Sequence, residues 1–186
     1  MKVLSHFESK GNIELLSQAT LGVFASQKTP TDIYPSAKQL FLSLCRIPLS
    51  LSGGWQAPLE KQLLQLAYPE MTASILYYSA KDLARITLSD HLNTLDMFGK
   101  LLLISAESKT PRATQSDVDK RDALLFTQTD KILFLHIEHG GRLEKYYNQL
   151  LDKDFPVFIL DHQLNQKFFS RGSVVINNDN CDSLLT

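Results

Sequence analysis

Cysteine is almost missing from this chain: among 186 residues only Cys45 and Cys181 carry thiols. There is no CxxC pair and no cluster of cysteine and histidine at ligand spacing, which excludes a disulfide framework and leaves two reduced thiols. A surplus of positive charge is missing too. The formal net charge is −1, which argues against a broadly basic coat for nucleic acid but not against a local basic groove. No run approaches the roughly 18 apolar residues needed to span a bilayer. Residues 1–10 carry charge where a signal peptide would be apolar. A cytoplasmic location without membrane attachment is therefore expected. What remains is an ordinary composition, 44% hydrophobic and 21% charged, long enough to bury a sizeable core.

Short apolar runs closed by small and polar residues read as buried strands. They fall at 21–25, 47–51, 74–78, 100–105, 131–137, 157–160 and 173–176. Helical spacing predicts helices over 35–44, 58–66, 82–98, 119–127 and 142–151, with Pro58 suited to a first turn. The polar stretch 107–119, which holds Pro111, reads as a mobile loop. Strands alternating with helices imply an α/β fold: a Rossmann-like parallel sheet flanked by helices in three layers. No repeat or linker divides the chain, so residues 1–186 are expected to form a single domain.

In such sheets ligands bind beyond the carboxyl ends of the strands, and the chemistry-bearing residues cluster there. Ser26, Gln27 and Lys28 offer amides, a hydroxyl and an ammonium to a phosphate, or form a solvated turn. Ser52, Gly53 and Gly54 let backbone approach a ligand and adopt positive φ angles, or simply make a tight turn. Gly140, Gly141 and Arg142 resemble an anion cradle at a helix N-terminus. Lys81, Arg112, Lys120 and Arg121 can line one rim and meet a phosphodiester backbone. Trp55 and Tyr78 are candidate platforms for stacked bases, with packing the alternative for Trp55. His136 and His139 lack a third ligand, so no metal is expected. Glu107 and Glu138 can act as acid or base, but neither has a matched partner. No Ser-His-Asp or Cys-His set is present, and neither catalysis nor a cofactor is expected.

The order of these turns resembles the DNA-processing protein A family, also called Smf. Gly11-Asn-Ile-Glu-Leu-Leu16 stands where that family opens with Gly-Asn-x-x-Leu-Leu, and Ala25-Ser-Gln-Lys-Thr-Pro-Thr31 where its first strand ends in Gly-Ser-Arg and Pro-Thr. Ser52-Gly53 matches its Ser-Gly turn, and Thr72-Ala-Ser-Ile-Leu76 its third strand. The segment from Lys120 to Asp130 follows the course of its Arg-Asn-Arg helix, with Asp122 and Ala123 in place of the last two residues. Ala25 and Gln27 replace the Gly and Arg of Gly-Ser-Arg, with Lys28 adjacent, and His136 stands where the family has an acid. The resemblance implies a Rossmann-like fold that binds single-stranded DNA and takes part in DNA processing and recombination, with a recombinase as partner.

Gly140-Gly-Arg-Leu143 also resembles the glycine turn of the lysine-decarboxylase-like phosphoribohydrolases, without its Pro, third Gly and Thr. The alternatives are thus a nucleotide-hydrolysing enzyme using Glu138 or Glu107, or a degenerate sensor of a nucleotide ligand. A homodimer is expected, since this fold often pairs through its sheet edge or helices.

Overall fold

Among the described residues eight strands form one sheet in the order β1-β5-β4-β3-β2-β6-β7-β8. They are β1 (Phe7–Gly11), β2 (Thr20–Ala25), β3 (Ser50–Gly53), β4 (Ser74–Ser79), β5 (Leu101–Ala106), β6 (Lys131–His136), β7 (Val157–Leu160) and β8 (Val174–Ile176). The architecture comes from a computed structural model, which describes residues 7–106, 113–169 and 172–185. Among the described residues five α-helices connect the strands: α1 (Tyr34–Leu44), α2 (Pro58–Leu64), α3 (Asp90–Met97), α4 (Gln115–Gln128) and α5 (Arg142–Leu151).

The chain runs outward from β2 through β3 and β4 to β5, then returns to lay β6 on the other side of β2. A constant hand of crossover then forces the later helices onto the opposite face. The cores divide accordingly. Phe41 of α1, Leu59 of α2 and Leu95 of α3 pack on one face, and Leu125 of α4 and Tyr147 of α5 on the other. Within β5, Leu101 and Leu103 join the first core while Leu102 and Ile104 join the second. Burial on both sides is why the strands read as continuous apolar runs. The molecule is a three-layer α/β fold of Rossmann-like type.

The sheet is not wholly parallel. β1, which periodicity does not reveal, pairs antiparallel with β5 at the edge. The expected strand 47–51 begins later, at Ser50. Pro48 has no N–H, and Ile47 and Leu49 complete the turn that leaves α1. The expected helix 82–98 is broken. Asp82 caps a short 3-10 turn, Leu83–Arg85, by accepting from the Ala84 N–H, and Ile86 is extended. Ser89 then caps α3 by accepting from the Leu92 N–H. In the expected loop 107–119, residues 107–112 lie outside the described residues. The rest is shorter than expected, because Thr114 and Asp117 form a capping box that starts α4 at Gln115.

Candidate nucleic-acid interface

Two adjoining cavities open beyond the carboxyl ends of the central strands. The smaller, about 160 Å³, sits where the strand order reverses between β2 and β6 and is lined by Ser26, Gln27, Gly54, Glu60, Arg121 and Arg142 among others. That reversal leaves a crevice because the connections on either side depart in opposite directions. The larger, about 710 Å³, extends over β4 toward α4 and shares Gln27, Gln56, Arg121 and Arg142 with the first.

Five cationic side chains line the larger cavity: Lys61, Lys81, Arg85, Arg121 and Arg142. No carboxylate is among its described lining residues. Secondary structure places each cation. Lys61 lies on α2, just after β3, and Arg85 on the 3-10 turn after β4. Lys81 is fixed by its backbone, its N–H donating to Ser79 Oγ and its carbonyl accepting from Ser105 Oγ.

Arg121 and Arg142 come from α4 and α5 and meet on one buried carboxylate. Asp122 Oδ1 accepts from Arg121 Nε at 2.9 Å and Nη2 at 2.6 Å. Its Oδ2 lies 3.1 Å from Arg142 Nη1. Asp122 and Arg121 are buried, whereas Arg142 is exposed over the Tyr146 ring. The more exposed Asp119 lies 3.9 Å from the same Arg142 Nη1, so the two guanidinium groups on the wall common to both cavities face one buried and one solvent-exposed carboxylate.

Glu60, at the floor of the smaller cavity, is already spent. It accepts from the backbone N–H groups of Ala25, Gln56 and Ala57 at 2.9, 2.9 and 3.2 Å. Burial pushes its carboxyl above the usual range, against the downward pull of those N–H groups and of Arg121. Ser26 is a latch rather than a free hydroxyl: its Oγ accepts from the Glu138 N–H at 2.7 Å and donates to the His136 carbonyl, tying β2 to the end of β6.

Of the residues singled out in the sequence, Ser26, Gln27, Gly54, Lys81, Arg121, Gly141 and Arg142 do line the cavities. Lys28 lines neither cavity; its exposed ammonium lies 3.7 Å from Glu138, which lines the smaller one. Lys120 is exposed and lines neither cavity; Arg112 and Glu107 lie outside the described residues. Gly140 lines neither cavity, and its N–H donates to Glu144. This carboxylate also contacts His139 Nδ1 at 3.0 Å, so the protein's own anion occupies that part of the α5 N-terminus.

The Ser52-Gly53-Gly54 turn needs a different explanation from the one expected. Ser52 is fully buried, and neither glycine has a positive φ; Trp55 does, at 52°. A Cβ on Gly53 would sit 2.9 Å from the Trp55 indole, and one on Gly54 2.8 Å from Arg121 Cζ. Each glycine clears space for a large neighbouring side chain.

Both stacking candidates fail for lack of exposure. Trp55 is 1% exposed, and its indole N–H donates to the Leu76 carbonyl. Tyr78 is 0% exposed, and its hydroxyl donates to Gln128. The aromatic that lines the larger cavity is Tyr77, whose hydroxyl accepts from Gln56 Nε2 at 2.8 Å. Lys61, Arg85, Gln56 and Tyr77 went unnoticed in the sequence. Extending the strand-end rule into the first turn of the following helix or 3-10 segment would have found the two cations.

His136 lies beside the crevice, with Nδ1 3.3 Å from Asn165 Oδ1. The Asn165 amide nitrogen donates to the carbonyls of Leu135 and Leu160, so its oxygen is left to accept and His136 carries its proton on Nδ1. Burial lowers the His136 pKa, against Asn165 and Glu138, which raise it. A depressed histidine favours the neutral folded state. Its contribution is full above the unfolded value of about 6.5 and is lost as pH falls below it. Urea unfolding at pH 7.5 and 5.5 is expected to show lower stability in acid, and the difference should shrink in His136→Gln. An unchanged difference in that variant would remove His136 as its source.

No protein-family model matches this sequence. No curated protein sequence matches it either. Solved structures do. DNA processing protein A from Streptococcus pneumoniae superposes with a TM-score of 0.77 at 12% identity, over 95% of this chain and 65% of that one. DNA processing protein A from Helicobacter pylori, whose single-stranded DNA binding mode is known, gives 0.77 at 14% identity, over 96% and 86%. The molybdenum cofactor binding protein from Rippkaea orientalis gives 0.57 at 18% identity, over 90% and 95%. The chain thus spans about two-thirds of the Streptococcus protein and has the fold of DNA processing protein A.

Proposed function

We propose that this chain binds single-stranded DNA without catalysis, seating successive phosphates in the larger cavity. The carrying observation is the convergence of Lys61, Lys81, Arg85, Arg121 and Arg142 with no carboxylate among the described lining residues. A net charge of −1 does not oppose this, because phosphate responds to the nearby charges rather than the total. The DNA binding named for the Helicobacter protein of the same fold supports the reading. We extend the proposal to a cytoplasmic role in DNA processing and recombination, with a recombinase as protein partner.

Tyr77 provides a single aromatic face for a base, and such stacking tolerates any sequence. A nucleotide hydrolase needs a carboxylate free to act on the sugar or water. Glu60 is bound by three N–H groups, and Glu138 lines only the smaller cavity, whereas the larger cavity has five cations and no carboxylate among its described lining residues, so DNA binding is the better-supported reading.

The test is fluorescence anisotropy of a labelled oligonucleotide at two salt concentrations. With about 0.7 counterions released per phosphate contacted, five contacts set a limiting slope of about −3.5 in log K against log[salt]. Raising salt from about 50 to about 200 mM then weakens binding roughly a hundredfold. Absence of binding at the lower salt defeats the proposal.

A further inference from the structure

We propose that the smaller cavity seats one guanine base of the bound strand while the larger cavity holds the neighbouring phosphates. The inference rests on the larger cavity as a phosphate seat and adds a base preference to it. The two cavities differ in charge. The larger has no carboxylate among its described lining residues, whereas Glu60 and Glu138 join Arg121 and Arg142 in the smaller. Both guanidinium groups there already pair with Asp122, so no surplus of positive charge is left for a phosphate. Such a lining suits a neutral ligand that both donates and accepts hydrogen bonds. Phe24 and Leu143, both buried, add apolar wall for the faces of a ring. At about 160 Å³ the cavity has room for one base but not for a length of strand.

The groups still free to bond define the base. Glu60 already accepts three backbone N–H groups, which leaves Glu138 as the acceptor. The Glu138 carboxylate has one ion-pair partner among the described residues, the exposed Lys28 at 3.7 Å. On the donor side, Arg121 is buried and spends Nε and Nη2 on Asp122. Its Nη1 has no hydrogen-bond partner among the described residues. The turn from β6 into α5 brings Arg142 to the same cavity as Glu138.

A carboxylate accepts through both oxygens, and guanine alone offers it two adjacent donors, N1–H and the N2 amine. Adenine and cytosine set a ring-nitrogen acceptor beside their amine, and thymine flanks its one N–H with carbonyls. Each of these turns an acceptor toward a carboxylate oxygen. Guanine also carries O6 and N7, the acceptor pair that guanidinium groups read. Gln27, Gln56, Arg121 and Arg142 line both cavities. One nucleotide therefore spans them, its base in the smaller and its phosphate in the larger.

Anisotropy at low salt should compare labelled oligo-dT with the same strand carrying one central dG. The dG strand is expected to bind about tenfold tighter, within the range of one bidentate base contact. Deoxyinosine, which stacks as guanine does but lacks the N2 amine, should lose most of that gain. Glu138→Gln should lose it too, because an amide turns a donor toward one of the two base donors. Equal affinity for the dG and oligo-dT strands overturns the base pocket and leaves the phosphate reading standing. A gain that survives both deoxyinosine and Glu138→Gln also overturns it, and assigns the preference to stacking on Tyr77. If oligo-dT itself fails to bind, the phosphate reading falls and calorimetry with free nucleotides tests the pocket alone. Binding of guanosine monophosphate in preference to adenosine monophosphate then supports the pocket, and equal or absent binding overturns it.

Discussion

Asp122→Ala is expected to lower the free energy of unfolding by about 3–5 kcal/mol, the cost of removing one partner from a buried ion pair. Asp122 lies within the fold and carries two hydrogen bonds from Arg121. Alanine leaves the Arg121 guanidinium, 7% exposed, without its hydrogen-bonded counter-charge, and the remaining nearby carboxyl, Glu60, is already held by three backbone N–H groups. Arg142 is exposed enough for water to replace its lost contact. The variant also removes one link between α4 and α5, leaving Arg142 beside Asp119 at 3.9 Å and the Phe126–Tyr146 ring contact. Replacing both members, Arg121→Met with Asp122→Leu, should recover most of that loss, because well-packed apolar groups of similar size can match a buried ion pair. The same double variant should bind DNA more weakly, since Arg121 belongs to both cavity walls. Urea unfolding and anisotropy on the two variants separate the roles. A loss below about 1 kcal/mol for Asp122→Ala, within the range of an exposed pair, would show that the bridge is hydrated rather than buried.

The strands and most helices were legible because burial on both faces writes itself as runs of Leu, Ile, Val and Phe. Both β7 and α5 begin and end where the sequence places them. Elements set by local hydrogen bonds were less legible. The break between Arg85 and Asp90 depends on Asp82 and Ser89 accepting particular N–H groups, which apolar spacing does not register. The strand β1 is polar and exposed, so no hydrophobic pattern marks it.

At the site, one residue of offset decided the aromatic. Neighbours on a strand point to opposite faces, so Tyr78 enters the core while Tyr77 lines the cavity. Trp55 looked like a platform beside flexible glycines, yet Gly53 exists to give its buried indole room. The rule of strand carboxyl ends found the right rim, but could not say which turn residues face inward and which are tied to one another.

The combined variant Lys81→Glu with Arg85→Glu should abolish useful DNA affinity while leaving the fold intact. Both side chains are exposed, and what orders their segment is backbone hydrogen bonding to Ser79, Ser105 and Asp82. The cavity's five lining cations become three cations and two carboxylates, so its formal charge falls by four, while Arg121 and Arg142 stay paired with Asp122. A contact between unit charges in a water-filled opening is worth about 1 kcal/mol, so reversing one charge costs about 2 kcal/mol and reversing both about 4. That is roughly a thousandfold in dissociation constant at low salt. The salt slope should shrink by about 1.4 through the loss of two phosphate contacts. Neutral Lys81→Ala with Arg85→Ala should lose the same slope but only about half the free energy. If the charge-reversed variant binds within threefold of the wild type, with an unchanged slope, the DNA lies on some other face and the cationic cavity serves a different anion.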